Sequence, residues 1–379
     1  MTNPFSYGGV VGNGEFCNRA QEMGDLTDLI SSAGRCFVYA ERRMGKSSLI
    51  LRVLEKLPKK QFLPVYVDLW PTDGTLTFAT AIARATTSAA ETKTTRLLEL
   101  GKLLFGRLRP SVSLDEVGQP TVEFGVEGRS ASKSELTEVL AAPHVLAEKT
   151  GKIVVMVLDE FQQITTYEDD LAERQVRSSI QHHQRVAYIF LGSRKHLLQS
   201  MFLDESRPLY RSAMHYPIGS IATEHWLPFI AKRFRDANKA IDKQLIEQLC
   251  QQTQGHPFYT QHLCHVLWSM IKPGEGADAA MLKAAVAELL RRESHAYVIL
   301  WETLTKNEQR FLRGLADSDS SRKPFSSEFT RRYGLRAASN AQRAAESLVA
   351  ADVIEREENS YVIIDRFLRL WIRGLNSHL

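Results

Sequence analysis

The feature that most limits how this chain can fold is the segment Cys36-Phe-Val-Tyr-Ala-Glu-Arg-Arg-Met-Gly-Lys-Ser-Ser-Leu-Ile50, where an apolar strand pattern hands over, through a lysine-bearing loop, to a helical pattern. The spacing is that of G-x-x-x-x-G-K-[ST], with Ala40 where the first glycine is usual. In such a loop the backbone N–H groups of residues 42 to 47 wrap a phosphate, and the next helix turns its positive dipole end to the anion. The expected phosphate-binding set is therefore Ala40, Arg42, Arg43, Met44, Gly45, Lys46, Ser47 and Ser48. Lys46 is placed to reach the β- and γ-phosphates, and the Ser47 hydroxyl to hold Mg²⁺. Alanine at position 40 costs roughly 1 kcal/mol or more only if the turn needs φ > 0 there, so a distorted but working loop is expected.

A second segment points the same way. Lys152-Ile-Val-Val-Met-Val-Leu-Asp-Glu-Phe161 is a continuous β-branched run, the pattern of a strand buried on both faces of a parallel sheet. It ends in two carboxylates. Asp159 is suited to Mg²⁺, and Glu160, one residue on, to polarising an attacking water. A further buried strand, Val186-Ala-Tyr-Ile-Phe-Leu191, closes in Gly192-Ser-Arg194, and Leu63-Pro-Val-Tyr-Val-Asp-Leu69 is another. Strands alternating with helices call for an α/β fold with a parallel sheet. Its ligand site belongs at the carboxyl ends of the strands, where Lys46, Asp159 and Ser193 fall.

At 379 residues, with 44% apolar and 24% charged residues, the chain has room for two or three globular domains. The four cysteines form no C-x-x-C pair and no signal peptide opens the chain, which leads to the expectation of a reduced, cytoplasmic setting. No apolar run approaches the roughly 20 residues of a membrane helix. A net charge of +4 allows nucleic-acid binding without arguing for it. Cys250, His256, His262, Cys264 and His265 cluster in sequence, but their spacing matches no zinc-ligand pattern.

The expected organisation is a nucleotide-binding core over residues 1–217, carrying a β-hairpin insertion near 108–130, a helical unit over 218–298 and a third unit over 299–379. After Tyr216-Pro-Ile-Gly-Ser220 the pattern turns helical. In the third unit, Thr305-Lys-Asn-Glu308 reads as a capping box. Short helices come next at about 326–333 and 339–351, then a hairpin over 353–364. Three helices and a two-stranded wing make a winged helix-turn-helix.

These residues resemble the archaeal-type P-loop ATPases, relatives of AAA+ origin-recognition proteins and of STAND signalling ATPases. The resemblance spans nearly the whole chain. It rests on Asn3-Pro-Phe, on Phe16 with Asn18-Arg19 through Glu22, on Arg42 to Ser48, on Leu158-Asp-Glu-Phe161, on Gly192-Ser193, on Gly255-His256-Pro257 and on Asp365-Arg-Phe-Leu-Arg-Leu-Trp371. It implies ATP and Mg²⁺ bound between an αβα core and a helical lid, with the N-terminal loop over the adenine. Nucleotide contacts are implied for Phe16, Arg19, Pro217, His256 and Pro257, and the role of sensor 1 for Ser193. The chain departs from the family in reading Ala40-Glu-Arg-Arg43 for Gly-Pro-Arg-Arg and in having no arginine at the sensor 2 position, which implies slow turnover. Arg207 and Arg211 are the candidates for an arginine finger supplied within a homo-oligomer.

The function expected is an ATP-hydrolysing switch in which nucleotide state is coupled to the winged helix. Asn340, Gln342 and Arg343, with Ser339, are then placed to read duplex DNA, and Arg331, Arg332 and Arg336 to meet its phosphates. The acidic run Glu355, Glu357 and Glu358 in the wing opposes phosphate, so contact with a partner protein stands equally beside contact with DNA. The remaining alternatives are a DNA-binding protein regulated by nucleotide, and an ATP-holding scaffold for a partner in a defence or regulatory system.

Overall fold

The computed structural model describes residues 2–9, 16–90, 101, 104–105, 108, 110–114, 120–124, 133–317, 323–357 and 360–376. The chain divides into two compact units: Arg19–Glu41 with Gly45–Ile218, and Met1–Asn18 with Arg42–Met44 and Gly219–Leu379.

The first unit is built on five parallel strands, β1 (Arg35–Tyr39), β2 (Phe62–Asp68), β5 (Ile153–Asp159), β6 (Val186–Gly192) and β7 (Met214–Pro217), in the order β2-β5-β6-β1-β7. Alternate residues serve opposite faces. Phe37 and Tyr39, Val154, Met156 and Leu158, and Val186, Tyr188 and Phe190 enter one apolar core, while Cys36, Val38, Val155, Val157, Ile189 and Leu191 are buried on the other side. That double burial is why these strands read as unbroken apolar runs. Helices α1 (Ala20–Ser31), α2 (Lys46–Lys56), α3 (Thr75–Ala90), α4 (Lys133–Thr150), α5 (Leu171–Ile180) and α6 (Lys195–Leu203) belong to this unit. The expected insertion is present as the antiparallel pair β3 (Pro110–Leu114) and β4 (Pro120–Phe124), with Gly118 and Gln119 of its Gly-Gln-Pro turn lying outside the described residues. Strand β7 is an element that the sequence pattern does not announce: Tyr216 and Pro217 pair with Val38 and Tyr39 at the edge of the sheet. A strand of only four residues, three of them exposed, carries too little alternation to be recognised.

The second unit is helical. Its helices are α7 (Thr223–Asp236), α8 (Lys243–Thr253), α9 (Pro257–Met270) and α10 (Ala279–Thr303), then α11 (Lys306–Asp317), α12 (Ser327–Arg332), α13 (Ala338–Ala350), the hairpin β8 (Ile354–Glu357) with β9 (Ser360–Ile363), and α14 (Arg366–Asn376). Glu358 lies outside the described residues. One apolar core runs through the unit, from Phe5 and Trp226 to Phe311 and Phe367. The capping box forms as expected: the Thr305 N–H donates to Glu308 Oε2 at 2.7 Å. Helix α14 adds a fourth helix to the three expected. It starts where Asp365 Oδ1 accepts the N–H groups of Phe367 and Leu368, at 2.8 and 3.0 Å. Gly255, at φ 65°, must be glycine, since a Cβ there would lie 2.3 Å from the Ile221 carbonyl oxygen. Among the described residues no helix is long and apolar enough to cross a membrane.

One buried histidine makes stability depend on pH. The His183 ring stacks on His144 with centroids 5.1 Å apart, and its Nδ1 lies 2.7 Å from the Tyr188 hydroxyl. Burial first, then the charges of His144, Arg35 and His182, lower its pKa to about 4. The unfolded chain therefore binds the extra proton below its ordinary value of 6.5, so this contribution is intact above that pH and is lost as pH falls toward about 4. We expect the urea midpoint, measured by circular dichroism, to drop between pH 7 and pH 5, and to drop less in His183→Gln. An equal drop in both proteins would assign the effect elsewhere.

Candidate functional site

The sheet order places β6 between β5 and β1, so the turn after β6 faces both the loop beyond β1 and the acid that ends β5. In that loop Arg43 and Gly45 adopt left-handed backbone, at φ 60° and 85°, whereas Ala40 does not. Alanine at the first position is thus unstrained, and the distortion expected of the loop has no source there. Among the described residues a Cβ on Gly45 would meet nothing within 4 Å, so the backbone is uncovered ahead of α2. Lys46 is buried, and its ammonium donates to the carbonyl oxygens of Ala40 at 3.3 Å and Glu41 at 3.2 Å.

Asp159 is only 6% exposed. Its Oδ2 accepts hydrogen bonds from Ser47 Oγ, at 2.8 Å, and from the Tyr66 hydroxyl, and its Oδ1 accepts the Glu160 N–H at 2.9 Å. Burial, reinforced by the Asp159 carboxylate, pushes the Tyr66 phenol well above its ordinary range, so Tyr66 is a donor throughout the physiological range. Glu160 leaves the strand in left-handed backbone, at φ 53°. Its Oε2 accepts from Ser193 Oγ at 2.9 Å and from Gln162 Nε2. The structure thus brings together Lys46, Ser47, Asp159, Glu160 and Ser193.

The other expected residues lie elsewhere. Arg207 pairs with the buried carboxylate of Glu173 on α5, whose pKa burial raises against the pull of that arginine. Arg211 is exposed, 5.1 Å over the Tyr210 ring. Arg19 is buried and bound to Glu22 at 2.7 Å, and Pro217 ends β7. In the helical unit, Phe16 is half-buried and Pro257 is the first residue of α9. There His256 Nε2 lies 3.2 Å from the Arg42 carbonyl oxygen, the Arg43 guanidinium sits 4.4 Å over the Phe258 ring, and Met44 is buried. Tyr66 and Gln162 join the site without being marked out by any motif. The available signal was modest: a phenol on a strand and an amide among apolar neighbours, each of which needs a partner when buried.

The donor set suits a hard cation. Ser47 Oγ and Asp159 Oδ2 are adjacent oxygens, and among the described residues no cluster of three or more His, Cys, Asp or Glu side chains offers an all-protein cage. Two oxygen ligands, with phosphate and water completing the shell, is the way Mg²⁺ is held beside nucleotides. The open loop, the lysine and the helix start fit the phosphates that would accompany it.

Comparison with known proteins agrees with this geometry. A family model described as an ATPase domain predominantly from Archaea matches residues 16–263, and one described as a probable winged helix domain matches residues 295–374. No curated protein sequence matches the chain. Among solved structures, a Walker-type ATPase of Pyrococcus abyssi superposes with a TM-score of 0.62 at 17% identity, covering 95% of this chain and 96% of that one. The Aeropyrum pernix ORC2 protein, in its ADPNP–ADP complexes, superposes with a TM-score of 0.52 at 13% identity, covering 95% and 96%. At such identities the likeness is one of fold. The chain belongs to the family of ATPase domains found predominantly in Archaea, and carries a winged helix domain behind the ATPase domain.

Proposed function

We propose that this ATPase is a switch whose nucleotide state is read out through its winged helix, and that the winged helix contacts duplex DNA. The convergence of Lys46, Ser47, Asp159, Glu160 and Ser193 carries the catalytic half of this reading. Lys46 exchanges its two loop carbonyls for phosphate oxygens. Ser47 and Asp159 would hold Mg²⁺, which when bound would neutralise phosphate charge. Glu160 takes the proton of the attacking water, and Ser193 holds its carboxylate. We assign the nucleotide-binding core to residues 1–217, of which Met1–Asn18 pack with the helical unit, a helical lid to 218–298 and the winged helix to 299–379.

Coupling is supported by a loop residue. Arg42 Nη2 lies 3.1 Å from Asp352 Oδ2, and Asp352 stands between α13 and β8 of the winged helix. An ion pair this exposed is worth only about 0.2–1 kcal/mol, which suits a contact that must be made and broken. The DNA half rests on α13, which buries Ala341, Ala344, Ala345 and Leu348 and leaves Ser339, Gln342 and Arg343 exposed, with Arg331, Arg332 and Arg336 exposed just before it. A partner protein is the second reading, favoured by exposed Glu346 beside Gln342 on the same helix. Of the arginine-finger candidates, Arg211 is the better one for a homo-oligomer, because Arg207 is committed to Glu173.

Hydrolysis should be measured with and without duplex DNA, at low and physiological salt. Lys46→Ala is expected to abolish ATP binding. Glu160→Gln is expected to keep binding while lowering kcat by roughly 10²-fold or more; unaltered hydrolysis would remove Glu160 from the role of base. DNA is expected to stimulate turnover. Arg343→Ala should weaken DNA binding and relax its sequence preference, whereas Arg332→Ala should weaken it across sequences and make the salt dependence of log K shallower by about one. Hydrolysis indifferent to DNA would favour the partner protein.

A further inference from the structure

We propose that Gln162 is a positioning residue for the Glu160 carboxylate, and that Gly192 is glycine to make room for it. This role rests on Glu160 being the base. Gln162 is 3% exposed and belongs to the 3₁₀ turn Phe161–Thr166 directly after Glu160. Its Nε2 donates to Glu160 Oε2, the same oxygen that accepts Ser193 Oγ. Its Oε1 has no hydrogen-bond partner among the described residues. A carboxylate only accepts, so the amide must turn its nitrogen to Glu160 and its oxygen away. The orphaned acceptor is unfavourable, a penalty that an apolar side chain in this position would avoid.

The amide oxygen points at Gly192. A Cβ built on Gly192 would lie 2.2 Å from Gln162 Oε1 and 2.4 Å from Leu198 Cδ1. Gly192 is the last residue of β6 and has no positive φ to explain its identity, so close approach is the reason for glycine. The consequence is directional. With two donors on Oε2, Glu160 is left with Oε1 to accept from water, and Gln162 and Ser193 together decide where Oε1 points. Ser193 alone would leave the carboxylate free to pivot about one hydrogen bond.

The test uses Gln162→Met, which keeps the volume and removes both the donor and the orphaned acceptor, beside Gln162→Ala, Gly192→Ala and Glu160→Gln. We expect Gln162→Met to melt at or above the wild-type temperature and to bind a fluorescent ATP analogue with unchanged Kd, while kcat falls roughly 10- to 100-fold at unchanged KM. Gly192→Ala should lower kcat likewise, and adding it to Gln162→Ala should cost less than the product of the two single losses. Unchanged kcat in a folded Gln162→Met, with Glu160→Gln inactive, would overturn the inference and leave the base in place. Unchanged kcat in Glu160→Gln would overturn both.

Discussion

The first unit depends on a carboxylate that it keeps almost out of water. An ionised carboxylate buried without partners costs several kcal/mol, and Asp159 meets that cost with three donors, from Ser47 at the start of α2, Tyr66 on β2 and the backbone of Glu160 beyond β5. Each donor belongs to a different element. The acid therefore ties helix α2 to the sheet and the edge strand to its neighbour, and it can do so only because β2 lies beside β5. A change in that strand order would remove the phenol, and a shift of β2 by one residue would turn it to the other face.

Much of this was legible because burial on two faces forces a distinctive composition. The runs ending at Tyr39, Asp159 and Gly192 had few ways to fold other than as central parallel strands, and all three do so. The capping box and the wing were legible for a related reason: each is specified within a few consecutive residues. What escaped depends on partners distant in sequence. Tyr66 is an ordinary strand residue until Asp159, 93 positions further along the chain, is brought beside it; nothing within its own segment marks the phenol. Gln162 has the same character, since its meaning comes from a glycine on another strand. The membership of Arg42 to Met44 in the helical unit has no sequence signature, because it arises from Phe258, His256 and Asp352.

The loop shows how a departure from a motif is absorbed. The usual first glycine is needed only where the backbone crosses to positive φ, and here the crossings fall at Arg43 and Gly45. Gly45 makes its crossing at no steric cost, while Arg43 incurs roughly 1–2 kcal/mol. Part of that cost is offset by the Arg43 side chain itself, whose guanidinium is seated over Phe258 in a cation–π contact worth about 0.5–1 kcal/mol or more. Position 40 is then released to be alanine, which its burial favours.

A similar exchange operates at Glu160, where left-handed backbone in a residue other than glycine again carries a cost of order 1 kcal/mol. The strand could have ended without it. What the left-handed step achieves is to turn the chain at once into the 3₁₀ segment Phe161–Thr166, whose first residues bury Phe161 against Phe190, with ring centroids 4.6 Å apart, and deliver Gln162 back to the carboxylate two residues before it. A continuing strand would instead carry residue 162 about 6–7 Å onward along the same face, away from the buried seat that it takes beside Gly192. The strained residue and its amide partner are therefore one device, in which the aromatic packing of Phe161 holds the backbone bent and the bend seats the amide between the Glu160 carboxylate and Gly192.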